Sequence, residues 1–83
     1  MIMIFKIAKG VIYMALSMVN IGEEKEIIEL RAKDSVKKHL QSLGFIVGEK
    51  VEIISENPRG FILLIKGSKV ALNKGIANKI IVS

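Results

Sequence analysis

No cysteine and no tryptophan occur in the 83 residues, and proline appears once, at position 58. Without cysteine, neither a disulfide framework nor a thiolate metal site can supplement folding, so apolar packing must stabilise the chain alone. At this length there is room for one small domain and no second. Aromatic residues are scarce as well. Phe5, Tyr13, Phe45 and Phe61 are too few to build the stacking platforms of single-stranded nucleic-acid binders, so nucleic acid is not the expected partner. A long apolar run is also lacking. In "MIMIFKIAKGVIYMALSMV" Lys6 and Lys9 intervene, and the stretch from Gly10 to Val19 is about half the roughly 20 residues a spanning helix needs. Membrane insertion is therefore not expected. Lysines before a short apolar run fit a signal peptide in part, but no small-x-small cleavage site follows. Met14 offers an alternative start, which would make residues 1–13 an upstream extension.

What is present describes a folded domain: 51% of residues are apolar and 25% charged. The net charge is +5, unevenly placed. All eight acids fall in residues 23–56, whereas the following residues carry Arg59, Lys66, Lys69, Lys74 and Lys79 and no acid. Such a one-signed stretch steers acidic protein surfaces, anionic lipid headgroups or nucleic acid, or simply solubilises outward strand positions. The N-terminal "MIMIFKIAKGVIY" is apolar and β-prone, so it should seek a sheet edge, in its own domain or in a second copy.

From Asn20 the elements become readable. Gly22 marks a turn, and "KEIIELRA" alternates as a half-buried strand with Ile28 and Leu30 on the inner face. Asp34 or Ser35 is expected to cap a short helix whose stripe is Val36, Leu40 and Leu43, with Lys37, Lys38 and Gln41 off the stripe. Gly44 stands where a helix ends in a left-handed residue. Phe45, Ile46 and Val47 should then re-enter the core before a turn at Gly48. A second strand, "EKVEIIS", leads through "ENPRG", where Pro58 fixes its own φ and Gly60 tolerates a positive one. "FILLIK" hardly alternates and reads as a strand buried on both faces, or with one face packed by the N-terminal segment. A tight turn at Gly67–Ser68 joins it to "KVAL" as a hairpin. Asn73 is placed to cap one helical turn, and "NKIIVS" is a fifth strand. The expected architecture is mainly β: a small five-stranded barrel with one short inserted helix and an N-terminal extension.

The ordered series Leu16 and Gly22; Leu40, Leu43, Gly44, Phe45 and Gly48; Pro58 and Gly60; Gly67, Ala71 and Leu72; Ala77, Ile80 and Val82 resembles the pattern of the ferrous iron transport protein A family, FeoA, an SH3-like barrel. The resemblance spans residues 14–83, leaving 1–13 as an extension that could add a strand. Two features depart from the pattern: that extension, and a turn after Pro58 without a second small-residue-and-proline step.

Catalysis finds little material. His39 is the sole histidine, among polar neighbours, and no serine has a triad signature around it, so an enzyme is not expected. The "LGFIVG" corner is no phosphate loop either, because its glycines follow a helix and do not precede one. The family's association with transition-metal ions directs attention to Glu23, Glu24, Glu26 and Glu29. Strand alternation spreads them along a solvated face, and neither a cofactor nor a tight metal site is expected in the isolated chain. The resemblance implies a cytoplasmic accessory of ferrous iron uptake, acting by contact with the cytoplasmic G domain region of the FeoB permease. Candidate contact residues are Lys37, Lys38 and Gln41 on the helix and Pro58, Arg59 and Gly60 in the turn, expected to be exposed beside glycine-bounded corners. Two other readings stay open: a barrel module working with an iron-dependent repressor, and a homo-oligomeric scaffold joined through the N-terminal segment.

Overall fold

Period-two alternation of β-branched and charged residues builds most of this molecule, whose computed structural model describes residues 4–8 and 11–83. Parts of the N-terminal segment, Met1 to Met3 and Lys9–Gly10, lie outside the described residues. Seven strands among those described form one antiparallel sheet: β1 (Ile4–Ala8), β2 (Val11–Ala15), β3 (Glu24–Leu30), β4 (Lys50–Asn57), β5 (Gly60–Ile65), β6 (Ser68–Asn73) and β7 (Ile80–Val82). Their spatial order is β1-β2-β7-β3-β4-β5-β6. The five strands expected from sequence are β3 to β7. The N-terminal segment adds a hairpin, β1–β2, which docks on β7 through Met14–Val82 and Ala15–Ile81 pairs.

Strand β3 serves both halves of the sheet. Its first residues pair with β4 and its last with β7, and the register slips between Ile27 and Glu29. One extra residue there, a β-bulge at Ile28, inverts the alternation. Ile27 and Leu30 are therefore the buried residues, and Ile28 is only half-buried, which corrects the pattern expected from sequence. β5 also departs from expectation. Phe61, Leu63 and Ile65 are buried while Ile62 and Leu64 are half-buried, so this apolar strand has one core face and one partly wetted face.

Helix α1 (Asp34–Ser42) packs Leu40 into the core, with Val36 and Leu43 against its rim. It starts one residue earlier than a cap by Asp34 requires and two earlier than one by Ser35: Lys33 is the N-cap and no side chain caps it. Asp34 instead lies in the first turn, where a carboxylate faces the positive end of the helix dipole. A second helix of one turn, α2 (Lys74–Ala77), is capped as expected, Asn73 Oδ1 accepting from Ile76 N–H at 2.7 Å.

The hairpin turn between β5 and β6 is Lys66–Gly67, one residue earlier than expected. Both have positive φ, 50° and 76°, the two-residue geometry whose twist matches antiparallel strands. Gly60 needs no positive φ. A Cβ built there would lie 2.0 Å from the Leu72 carbonyl oxygen, so it is the close passage of β6 that demands glycine. Between the two halves of the sheet lies one core, with Phe45 its largest fully buried side chain and Leu16, Ile53, Leu63 and Ile80 around it.

Candidate partner-binding surface

Helix α1 ends in a way that fixes the direction of everything after it. Gly44 N–H donates to Gln41 O and Phe45 N–H to Leu40 O, both at 3.0 Å, with Gly44 at φ 105°. This is the paired 5→2 and 6→1 bonding of a Schellman motif, and its usual apolar contact is present, Phe45 and Leu40 both lying in the core. The next turn closes at once. Glu49 N–H donates to Ile46 O at 2.9 Å, and Gly48 takes φ 96° at the third position. Gly48 N–H also donates to Ile27 O, and Ile27 N–H to Glu49 O.

That geometry leaves no path inward for the two residues between Phe45 and Gly48. Ile46 is 41% exposed and Val47 60%, against the expectation that the whole tripeptide enters the core. The spacing held the signal: a second left-handed glycine three residues after Phe45 turns the chain before another side chain can follow it. Val47 lines a shallow depression of about 220 Å³ with Ile28, Leu30 and Glu29 of β3 and Lys37 and Gln41 of α1.

The candidate contact residues thus divide between two places. Lys37 and Gln41 line the depression just described, and Lys38 is exposed beside Lys37. Arg59 and Gly60 line another, of about 170 Å³, with Phe61, Ile62, Ala71 and Leu72, and it shares no residue with the first. Pro58 is exposed at the turn and outside that lining. The turn itself is held by Asn57, whose Oδ1 accepts from Arg59 N–H at 2.9 Å and Gly60 N–H at 3.1 Å. A third depression, about 310 Å³, lies between Met14, Met18 and the start of β3.

Charges sort in the same way. Glu26 pairs with Lys50, Glu29 with Arg31, Glu49 with Lys66 and Glu56 with Lys74, all across half-exposed side chains where such pairs stabilise little. Lys37, Lys38 and Arg59 have no ion-pair partner among the described residues. Glu23 accepts from Asn20 N–H and lies 4.0 Å from Lys25. Among the described residues no three of His, Asp or Glu converge as metal ligands would, and no helix is long and apolar enough to cross a membrane. His39 is exposed on α1, its carbonyl accepting from the Ser42 hydroxyl, and Ser17 donates to Asn78.

Comparison with known proteins gives consistent results. The model of the FeoA domain matches residues 14–83, a span that contains every motif residue of the sequence pattern. The chain is 33% identical, over 61 residues, to "Putative Fe(2+) transport protein A" of Methanocaldococcus jannaschii, covering 74% of each chain. Its fold is similar to the crystal structure of Stenotrophomonas maltophilia FeoA complexed with zinc, described as a prokaryotic SH3 domain protein. The TM-score is 0.75 at 22% identity, covering 84% of this chain and 89% of that one. It is also similar to a manganese-dependent transcriptional repressor in complex with manganese. There the TM-score is 0.80 at 16% identity, over 86% of this chain and 36% of the repressor. At these identities the last two show the fold alone.

Proposed function

The chain belongs to the FeoA family, and from this premise we propose that it is a cytoplasmic accessory of ferrous iron uptake, working by contact with the cytoplasmic part of the FeoB permease. The observation that carries the proposal is the corner at Ile46–Val47, an apolar tip displayed to solvent on backbone that α1 and β3 hold in place. An SH3-like barrel offers shallow seats between loops, suited to a peptide or a domain surface and not to enclosing a metabolite. Iron is cargo of the system in this reading, and no resident cofactor is proposed. No catalytic role is proposed.

Titration against the purified cytoplasmic domain of FeoB from the same organism, with and without nucleotide, tests the proposal. Saturable binding in the micromolar range is expected, at about −8 kcal/mol. Reversing charge at Arg59 and Lys38 to glutamate should weaken it without unfolding the domain, because both side chains are exposed. Unchanged affinity would remove these two residues from the interface, and absence of binding in every nucleotide state would sink the permease reading.

Self-association has one specific support. β1 is an edge of the sheet, pairing only with β2 among the described strands, and an apolar edge strand is a template for a second chain. Light scattering on the full chain and on a form beginning at Met14 decides: a doubled mass that disappears with residues 1–13 is the result this reading requires.

A further inference from the structure

We propose that the depression between β3 and α1 is a docking notch for an apolar side chain carried on an acidic segment of a partner protein. The inference rests on the reading that the chain works by protein contact. It names the part of the surface used and the chemistry that fills it.

Rigidity is the first support. Val47 and Ile46 stand in water on backbone that cannot withdraw them, because Gly48 and Glu49 are both hydrogen-bonded to Ile27. Preordered apolar groups lose little conformational entropy when a partner covers them, so burial there converts efficiently into affinity. Size is the second. A volume of about 220 Å³ falls below the roughly 300–1,000 Å³ of small-molecule sites, and suits one or two side chains inserted from a longer segment.

Charge then selects the occupant. Lys37 on the wall and Lys38 beside it form no ion pair among the described residues, whereas Glu29, the acid in the lining, is held by Arg31 at 3.2 Å. Asp34, the one acid of α1, lies a turn before these lysines and forms no ion pair among the described residues, which leaves two cations to one acid on that part of the helix. Two free ammonium groups beside an apolar seat match carboxylates flanking an apolar residue, and repel a basic segment. A proline-rich ligand fits less well, since its grooves are lined by aromatic residues and this one is aliphatic.

A random-peptide phage library panned on the full chain should enrich sequences with one large apolar residue flanked by Asp or Glu. Val47→Asp should remove that enrichment. In titrations with the purified cytoplasmic domain of FeoB, Val47→Asp and the double change Lys37→Glu, Lys38→Glu should each weaken binding by about tenfold or more. Lys69→Glu, the same change of charge on β6, should alter it by less than about twofold. Permease binding indifferent to the notch variants would overturn the notch and leave the permease reading standing. Acidic apolar peptides lost in Val47→Asp, with no permease binding, would keep the notch and overturn that reading. Enrichment of basic or proline-rich peptides, or of peptides indifferent to Val47→Asp, would overturn the notch.

Discussion

Gly60→Ala should cost the domain about 3 kcal/mol or more, a large part of the roughly 4–12 kcal/mol expected for 83 residues at about 0.05–0.15 kcal/mol each. The added methyl would meet backbone on the neighbouring strand, with Leu72 O at 2.0 Å and Asn73 Cα at 2.8 Å. Flexible side chains can yield; a paired strand cannot. Moving β6 away would break the Gly60–Asn73 pair, loosen the Lys74 N–H bond to Arg59 O, and disturb the Asn73 cap of α2. Gly48 makes the contrast. A Cβ there meets nothing within 4 Å, so Gly48→Ala carries only the strain of φ 96°, about 1–2 kcal/mol. Urea denaturation followed by far-ultraviolet circular dichroism reads both variants on one scale. Equal losses would show that β6 yields to the added methyl at little cost, so that its close approach is not what makes Gly60 necessary.

Phe45→Ala should destabilise by about 3–5 kcal/mol, the range for deleting a buried aromatic ring and leaving a cavity. Its ring is fully buried and anchors the end of α1 as well as the core, so the helix and the barrel should lose stability together. Val47→Ala, two residues away, should change stability by no more than about 0.5 kcal/mol, as surface substitutions do. The pair of measurements separates the inward and outward halves of one tripeptide. Comparable losses in the two variants would place Val47 in the core and deprive the proposed notch of its apolar tip.

Local chemistry made most of the elements legible. The Val36, Leu40 and Leu43 stripe, the left-handed Gly44 and the Asn73 cap each depend on neighbours within a few residues, and each stands where the sequence indicates. What sequence could not show depends on strands distant along the chain. The bulge that turns Ile27 inward exists because β3 meets Val82 and Ile81 across more than fifty residues. Gly60 looks like a turn glycine until β6 is laid beside it. The shift of the hairpin turn to Lys66–Gly67 follows from the pairing of Ile65 with Ser68, a register that neither dipeptide announces. For the candidate surface, exposure of Lys38, Gln41, Pro58 and Arg59 could be read from polarity and turn chemistry. The division of Lys37 and Gln41 from Arg59 and Gly60 between two depressions could not, because it follows from where β3 and β6 lie.

The position of β7 sets the order in which the molecule can be made. Its three residues lie between β2 and β3, so the N-terminal hairpin reaches the rest of the sheet through Ile80–Val82. A ribosome delivers residues 4–15 first and 80–82 some sixty residues later. Throughout that interval the apolar hairpin has no strand of its own chain to rest on, and pairing of such long range is slow even once the sequence is complete. Nascent chains at high local density, as on one polysome, would therefore offer each other unpaired edges before any of them can close. Slowing synthesis between β6 and β7 should lower the yield of folded protein.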